Sequence, residues 1–393
     1  MICEDQVRVD TPASLTTVFL DSAGSSIPPQ PVVDMVVGHL RREAEVGGYR
    51  AMDERAADLA GVKSSIARLL GCAEGSVALA DSATRAWGTA FYAVPLRPGD
   101  RVLLTGVEYA SNAVAALQRA GATDASVEYV PSDGAGQLDL AALESMLDER
   151  VALVSLVHVP TNGGLINPVE TVVKLAHRVG ALVFLDACQS IGQLVVEPGM
   201  LGVDMLSATG RKWLRGPRGT GFLYLSPELV TRLEPPMIDL HGAAWESPHE
   251  YRLRPDATRF ELWETDVAAR LGLGAAVNYL LELGVPDVVA AVAERSVRLR
   301  RALAEIPNVR VRDLGYQQCG IVSFTVDGVA PSTVRDALAE QDITVTVSGR
   351  PSTLLDMTAR NLTAVVRASP HYFVSLDQID RAADAVAQLA AHY

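Results

Sequence analysis

The stretch Ser207-Ala208-Thr209-Gly210-Arg211-Lys212-Trp213-Leu214-Arg215-Gly216-Pro217-Arg218-Gly219-Thr220-Gly221 decides how this chain is read. One lysine, Lys212, sits in a short polar loop followed by a Gly/Pro-rich turn. Upstream, the apolar run Ala181-Leu182-Val183-Phe184-Leu185 ends in Asp186, with Gln189 three residues on. Such a run, bounded by polar residues, fits a buried strand. It belongs to a longer alternation. The strand-like runs are Val77–Ala80, Arg101–Thr105, Ser126–Val130, Ala152–His158, Ala181–Leu185, Met205–Ala208 and Gly221–Leu225. Helical patterns separate them, among them Val169–Val179, where Val172, Leu175, Ala176 and Val179 share a face. The alternation predicts βαβ units and an α/β domain with a mostly parallel seven-stranded sheet flanked by helices. Asp133-Gly134 and Pro98-Gly99-Asp100 mark turns between the units.

The Ala-, Leu- and Gly-rich stretch Val267–Leu283 reads as a helix leading into a second domain. There the pattern becomes helix (Val288–Ile306), strands (Val309–Arg312, Gly320–Val326), helix (Pro331–Gln341), strands (Thr344–Val347, Ala364–Ala368) and helix (Leu376–Ala390), a smaller α+β module. The chain thus divides into an N-terminal segment 1–60, a large domain 61–275 and a small C-terminal domain 276–393.

Composition narrows the function classes. A formal net charge of −13 argues against nonspecific nucleic-acid binding, which needs clustered Lys and Arg to neutralise phosphate. A regulator binding effector and DNA would need an added basic helix-turn-helix module, which the sequence does not show. The four cysteines, Cys3, Cys72, Cys188 and Cys319, are scattered and form no CxxC, so neither a disulfide frame nor a metal site is expected. No apolar run reaches the roughly 18 residues that span a membrane, and Met1-Ile2-Cys3-Glu4-Asp5-Gln6 lacks the form of a signal peptide. A reducing cytoplasm is the expected location.

A carboxylate at a strand end and a lysine one strand later are what pyridoxal 5′-phosphate (PLP) chemistry requires. The lysine holds the aldehyde as a Schiff base, and the carboxylate holds the ring nitrogen protonated. The chain resembles the class V aminotransferases of PLP fold type I, which include the cysteine desulfurases. The resemblance runs from Phe19-Leu20-Asp21-Ser22-Ala23-Gly24 to Val366-Arg367-Ala368-Ser369-Pro370-His371-Tyr372. Through Arg42-Glu43-Ala44-Glu45-Val46-Gly47-Gly48-Tyr49 it is most similar to carbon–sulfur lyases, such as the ergothioneine-pathway lyase and lincosamide-pathway enzymes acting on S-substituted cysteine.

The resemblance implies a role for each matching residue. Lys212 and Asp186 are catalytic and hold the cofactor. Gln189 meets the ring hydroxyl. Ala83 and Thr84, in the turn Asp81-Ser82-Ala83-Thr84 at a helix start, hold the phosphate with Thr209 and Arg211. Asp81 points away from it. Tyr109 stacks on the ring and Thr161 lies at its edge. Arg367 clamps the substrate carboxylate bidentately, and Asn162 beside Thr161 reaches the substrate. Arg350 contacts a polar substituent or is a solvated loop arginine. Trp263, in Arg259-Phe260-Glu261-Leu262-Trp263-Glu264-Thr265, lines the substrate pocket or a dimer core. That segment matches the one a neighbouring subunit lends to the cofactor site, implying a homodimer with shared sites. In the family the N-terminal segment packs with the small domain.

A desulfurase needs a nucleophilic cysteine on a C-terminal loop. The matching loop, Ser348-Gly349-Arg350-Pro351-Ser352-Thr353, has none. The expectation is therefore a PLP-dependent C–S β-lyase that takes an S-substituted L-cysteine, thioether or sulfoxide, to a thiol-type product, pyruvate and ammonia in natural-product biosynthesis. Decarboxylation with oxidative deamination, epimerisation and transamination on the same scaffold stay open.

Overall fold

Seven apolar runs form one sheet in the computed structural model, which describes residues 2–392. They are β1 (Val77–Ala80), β2 (Arg101–Thr105), β3 (Ser126–Val130), β4 (Val151–Val157), β5 (Leu182–Asp186), β6 (Met205–Thr209) and β7 (Gly221–Leu225). Their spatial order is β1-β7-β6-β5-β4-β2-β3. Only β7 runs against its neighbours, β1 and β6. The central strands are covered on both faces, so they read as continuous apolar runs rather than alternating ones. On one face Trp87 stacks on Phe91 and Phe184, with ring centroids 4.4 and 5.4 Å apart. The other face merges with the core of the C-terminal domain. Asp186 is the last residue of β5, one position beyond the run read as a strand.

The C-terminal domain is an antiparallel sheet of β8 (Val309–Val311), β9 (Val322–Val326), β10 (Thr346–Gly349) and β11 (Ala364–Ala368), ordered β8-β9-β11-β10. Helices Val285–Ala304, Pro331–Ala339 and Leu376–Ala390 pack with it. The run read as one strand, Thr344–Val347, is split. Ile343–Thr344 pairs in parallel with Val18–Phe19, while Thr346–Gly349 joins the main sheet.

Two of the expected boundaries shift. The helix Val267–Leu283 runs through position 275 and ends at Gly284, where the chain bends by 84° into Val285–Ala304. The N-terminal segment is also not one unit. Its first part rests on the small domain: the Val18–Phe19 pairing, the Glu4–Arg295 ion pair at 2.7 Å, and the bond from Gln378 Nε2 to the Ser14 carbonyl at 2.7 Å hold it there. Helices Gln30–Val46 and Ala56–Leu70 instead pack against Val267–Leu283. A hairpin absent from the sequence reading, Ala243–Ser247 with Glu250–Leu253, leaves Trp245 83% exposed. Among the described residues no single helix is long and apolar enough to cross a membrane.

Candidate active site

In an open α/β sheet, ligands bind beyond the carboxyl ends of the strands. Here the ends of β4, β5 and β6 meet the start of the helix Ala83–Ala93 in a cleft. It is lined by Ser82, Ala83, Thr84, Tyr109, Val157, Val159, Thr161, Asp186, Cys188, Gln189, Thr209, Arg211 and Lys212. The geometry thus gathers nine residues that the sequence reading assigned to a cofactor, from strands far apart in the chain.

Lys212 lies in the loop joining β6 to β7. Gly210 N–H donates to the Thr220 carbonyl at 3.1 Å and Gly216 N–H to the Gly210 carbonyl at 2.8 Å, which closes the loop. Arg215, at φ 61°, fastens it from outside. Its buried guanidinium donates to the Ile27 carbonyl, Tyr372 Oη and Thr11 Oγ1 at 2.8, 2.8 and 2.6 Å. It also lies 4.4 Å from the Phe373 ring centroid. The lysine loop is therefore anchored to the N-terminal segment and the small domain together. Burial pushes the Lys212 amine down to about 8, helped by the positive charges of Arg211 and Arg367.

Asp186 is buried. Its Oδ1 accepts from Cys188 N–H at 3.0 Å and its Oδ2 from Asn112 Nδ2 at 2.9 Å. Both oxygens thus accept from N–H groups, and the residue lines the same cleft as Lys212. Gln189 lies beside it with both ends of its amide engaged: Nε2 donates to the Ala23 carbonyl and Oε1 accepts from Trp213 Nε1, each at 3.0 Å. One Nε2 hydrogen remains for a ligand. Cys188 also lines the cleft, which the sequence reading did not foresee. Burial holds its thiol well above the usual range, so it stays protonated.

The helix Ala83–Ala93 begins at Ser82, whose side chain accepts from Arg85 N–H at 3.1 Å. Backbone N–H groups at its first turn face the cleft side, where an anion is stabilised. Glycine is required at the head of β7: a Cβ on Gly221 would stand 2.6 Å from the Ser82 carbonyl carbon. Asp81 is exposed and lines a neighbouring pocket with Arg85 and Arg270, away from the cleft. Arg211 donates to the Gly24 carbonyl, and Thr209 Oγ1 donates to the Thr220 carbonyl at 3.3 Å. Tyr109 caps the helix Ala110–Thr123 and is 38% exposed, so it faces the cleft instead of packing in the core.

Arg367, on β11, comes in from the small domain. Its Nη1 donates to Thr161 O and Oγ1, both at 3.1 Å, and its Nη2 to Asp21 Oδ1 at 3.1 Å. Its Nε is buried and is the one nitrogen without an acceptor, so the bidentate grip expected from the sequence is not preformed. Burial raises the Asp21 carboxyl above its usual range, against the pull of Arg367.

Three of the expected substrate residues sit differently. Asn162 is 2% exposed and its amide is engaged with the Thr353 and Ser348 hydroxyls, the former at 2.5 Å. It clasps the Ser348–Thr353 loop and does not face the cleft. Arg350 is held on its own domain by a bond from Nε to the Leu362 carbonyl at 2.9 Å. Trp263 lines a separate cavity of about 900 Å³ with Leu40, Tyr49 and Lys63. Sequence reasoning missed Glu108, Asn112 and Asp21. Asp21 lies inside the quoted stretch Phe19–Gly24, and Glu108 and Asn112 lie near Tyr109, but only the fold shows that their polar groups turn inward.

The donor set fits PLP: a buried amine of lowered basicity, a buried carboxylate, a helix start with Arg211 and Thr209 for a phosphate, and a tyrosine ring at the mouth. Among the described residues no cluster of metal-ligating side chains occurs.

Known proteins resemble the chain over nearly its whole length. Residues 18–382 match the family described as aminotransferase class V. A probable cysteine desulfurase of Methanothermobacter thermautotrophicus is 26% identical over 98% of each chain. The apo structure of a cysteine desulfurase from Thermococcus onnurineus superposes with a TM-score of 0.91 at 26% identity, covering 100% of this chain and 99% of that one. A cystine C–S lyase in complex with its product cysteine persulfide shares the fold at a TM-score of 0.87 and 22% identity, over 96% and 99% of the two chains.

Proposed function

From the premise that the chain belongs to the class V aminotransferase family, whose cofactor is PLP, we propose that it is a C–S β-lyase acting on an S-substituted L-cysteine. Water and the substrate give a thiol, pyruvate and ammonia. The relatives named as cysteine desulfurases support a cysteine C–S bond as the target. The observation that carries the choice of lyase is the loop Ser348–Thr353. It holds no cysteine, and Asn162 ties it down through Ser348 and Thr353. A persulfide carrier needs a thiol there that is free to move. Cys188, the one thiol lining the cleft, is half-buried, and its pKa is held well above the usual thiol range.

When bound, PLP supplies an electron sink for the pair left at the substrate Cα. Lys212 would hold the aldehyde and, once released by the substrate amine, take the Cα proton as its neutral form. Asp186 holds the proton on the ring nitrogen. The helix start at Ala83 and Thr84, with Arg211 and Thr209, holds the phosphate, and Gln189 meets the ring hydroxyl. Tyr109 covers the ring at the mouth, and the proton transfer at the substrate falls to Lys212. Arg367 takes the α-carboxylate through Nε while Asp21 and Thr161 hold its other nitrogens. Fixing the amino acid at that end would set its Cα before Lys212; the pair left at Cα then forms the bond to Cβ, and sulfur leaves with the Cβ–S pair.

The same reading makes the enzyme a homodimer with shared sites. What supports it is the position of Arg259–Thr265: Trp263 stands outside its own chain's Lys212 cleft, beside exposed Tyr49 and a 900 Å³ cavity that a second copy can fill. The test is to supply the PLP-loaded protein with S-substituted cysteines and assay products. Pyruvate with thiol supports the lyase. CO₂, a racemised substrate or a keto acid retaining sulfur would each assign a different reaction.

A further inference from the structure

The mechanism leaves one buried titratable group unused. Glu108 follows β2 through the turn Gly106-Val107, with its N–H bonded to the Thr105 carbonyl at 3.2 Å. Its side chain is 5% exposed. Oε1 accepts from Tyr109 N–H and from Asn112 Nδ2, both at 3.0 Å, and Oε2 lies 3.2 Å from Ser155 Oγ on β4. The same Asn112 Nδ2 donates to Asp186 Oδ2 at 2.9 Å. An amide nitrogen carries two hydrogens, so one goes to each carboxyl and none is left over. Two buried carboxyl groups are thus joined through one amide.

The surroundings decide how many charges this pair bears. Glu108 faces Tyr109 and Asn112 at the start of the helix that follows it, Ser155 from β4, Asp186 from β5 and, at longer range, Tyr129 from β3. No Lys, Arg or His is among them. A second anion there would be buried without a counter-ion beside the charge of Asp186, an arrangement that favours one shared proton. Asp186 accepts from two N–H donors and lines the cleft, whereas Glu108 does not reach it. Burial first, and the charge of Asp186 second, push Glu108 up to about 8.

We propose that Glu108 is a positioning residue: as a neutral acid it fixes the Asn112 amide against Asp186 and leaves Asp186 as the single buried anion facing the cofactor's ring nitrogen. In this state the Glu108 proton sits on Oε2 and is donated to Ser155 Oγ, while Oε1 keeps both its donors. The proposal rests on Asp186 meeting the cofactor, as read above.

Two variants test it, in the PLP-loaded protein and in the cofactor-free protein. Glu108→Gln keeps the acceptor and the donor but cannot ionise. Glu108→Ala removes both. In wild type the visible band of bound PLP, followed from pH 6 to 9.5, should show a step with a midpoint near 8. Glu108→Gln should lack that step and hold the low-pH spectrum throughout. Glu108→Ala should differ from wild type already at pH 7, because Asn112 is released. A Glu108→Gln spectrum unlike wild type at pH 7 would mean that the carboxylate charge is used, and a Glu108→Ala spectrum superimposable on wild type would mean that nothing is positioned. Either overturns the proposal. If no band forms in wild type, the reading of Lys212 and Asp186 fails, and the cofactor-free protein still decides on Glu108. Its melting temperature should fall relative to Glu108→Gln as pH rises from 6 to 8, and a constant difference overturns the neutral acid.

Discussion

The lowered basicity of Lys212 makes a quantitative prediction about how the protein acquires its cofactor. An aldehyde is attacked by the neutral amine alone. An amine of pKa about 8 is about 9% neutral at pH 7, against about 0.03% for a lysine at its ordinary 10.5, a gain of roughly 300-fold in reactive form. When cofactor-free protein is mixed with PLP in a stopped-flow instrument, the rate of appearance of the visible band should rise with pH to a midpoint near 8 and level off above about 9. Lys212→Ala should give no such band. The same shift sets a stability change of known sign. The folded pKa lies below the unfolded one, so below pH 8 the folded state carries a buried charge that the unfolded state solvates. The difference of 2.5 is worth about 3 kcal/mol, present below pH 8 and removed as pH rises towards 10.5. Lys212→Met should therefore raise the denaturation midpoint of the cofactor-free protein at pH 7, by an amount that shrinks above pH 8. A rate midpoint near 10.5, or a Lys212→Met effect that ignores pH, would refute the argument from burial.

Arg367→Ala should lower kcat/KM by on the order of 30- to 100-fold, mostly through KM, because a charge-assisted bond is worth about 2–3 kcal/mol. Steady-state kinetics on an amino acid and its carboxamide would show the loss confined to the acid. Gly192, at φ 97°, stands so close to the lysine loop that a Cβ would lie 2.5 Å from the Trp213 carbonyl carbon. Gly192→Ala should cost at least about 1–3 kcal/mol in denaturant unfolding and loosen PLP on dialysis. Sedimentation equilibrium should give twice the chain mass of 41.8 kDa, and Trp263→Glu should yield the monomer with weaker PLP retention if the site is shared.

What the sequence revealed, and what it hid, follows from how each signal is carried. A strand buried on both faces is a local apolar run, so β1 to β7 were legible within a residue or two. Such a run has no direction, which is why the reversal of β7 could not be read from Gly221–Leu225. Lys212, Asp186, Thr209 and Arg211 were legible because they stand at or within three residues of a strand end, where ligands sit, and because the chain resembles a known family at these positions. Asn162 looked equally available, but its partners Ser348 and Thr353 lie 186 and 191 positions away, and only the closed fold shows its amide engaged. Glu108 read as a polar residue near a helix start. Its burial depends on β4 and β5 passing beneath it, which places Ser155 and Asp186 within the same group of polar side chains. Nothing in the sequence of the N-terminal segment marks the change of partner between Val18–Phe19 and Gln30–Val46.

The central claim is a lyase that carries no sulfur on its own chain, and a sulfur balance tests it most directly. PLP-loaded protein is given a single S-substituted L-cysteine, and thiol, pyruvate, alanine and protein-bound persulfide are quantified together. The account predicts thiol and pyruvate in equal amounts, no alanine, no persulfide, and no turnover by Lys212→Ala. Alanine with sulfur bound to the protein would contradict it.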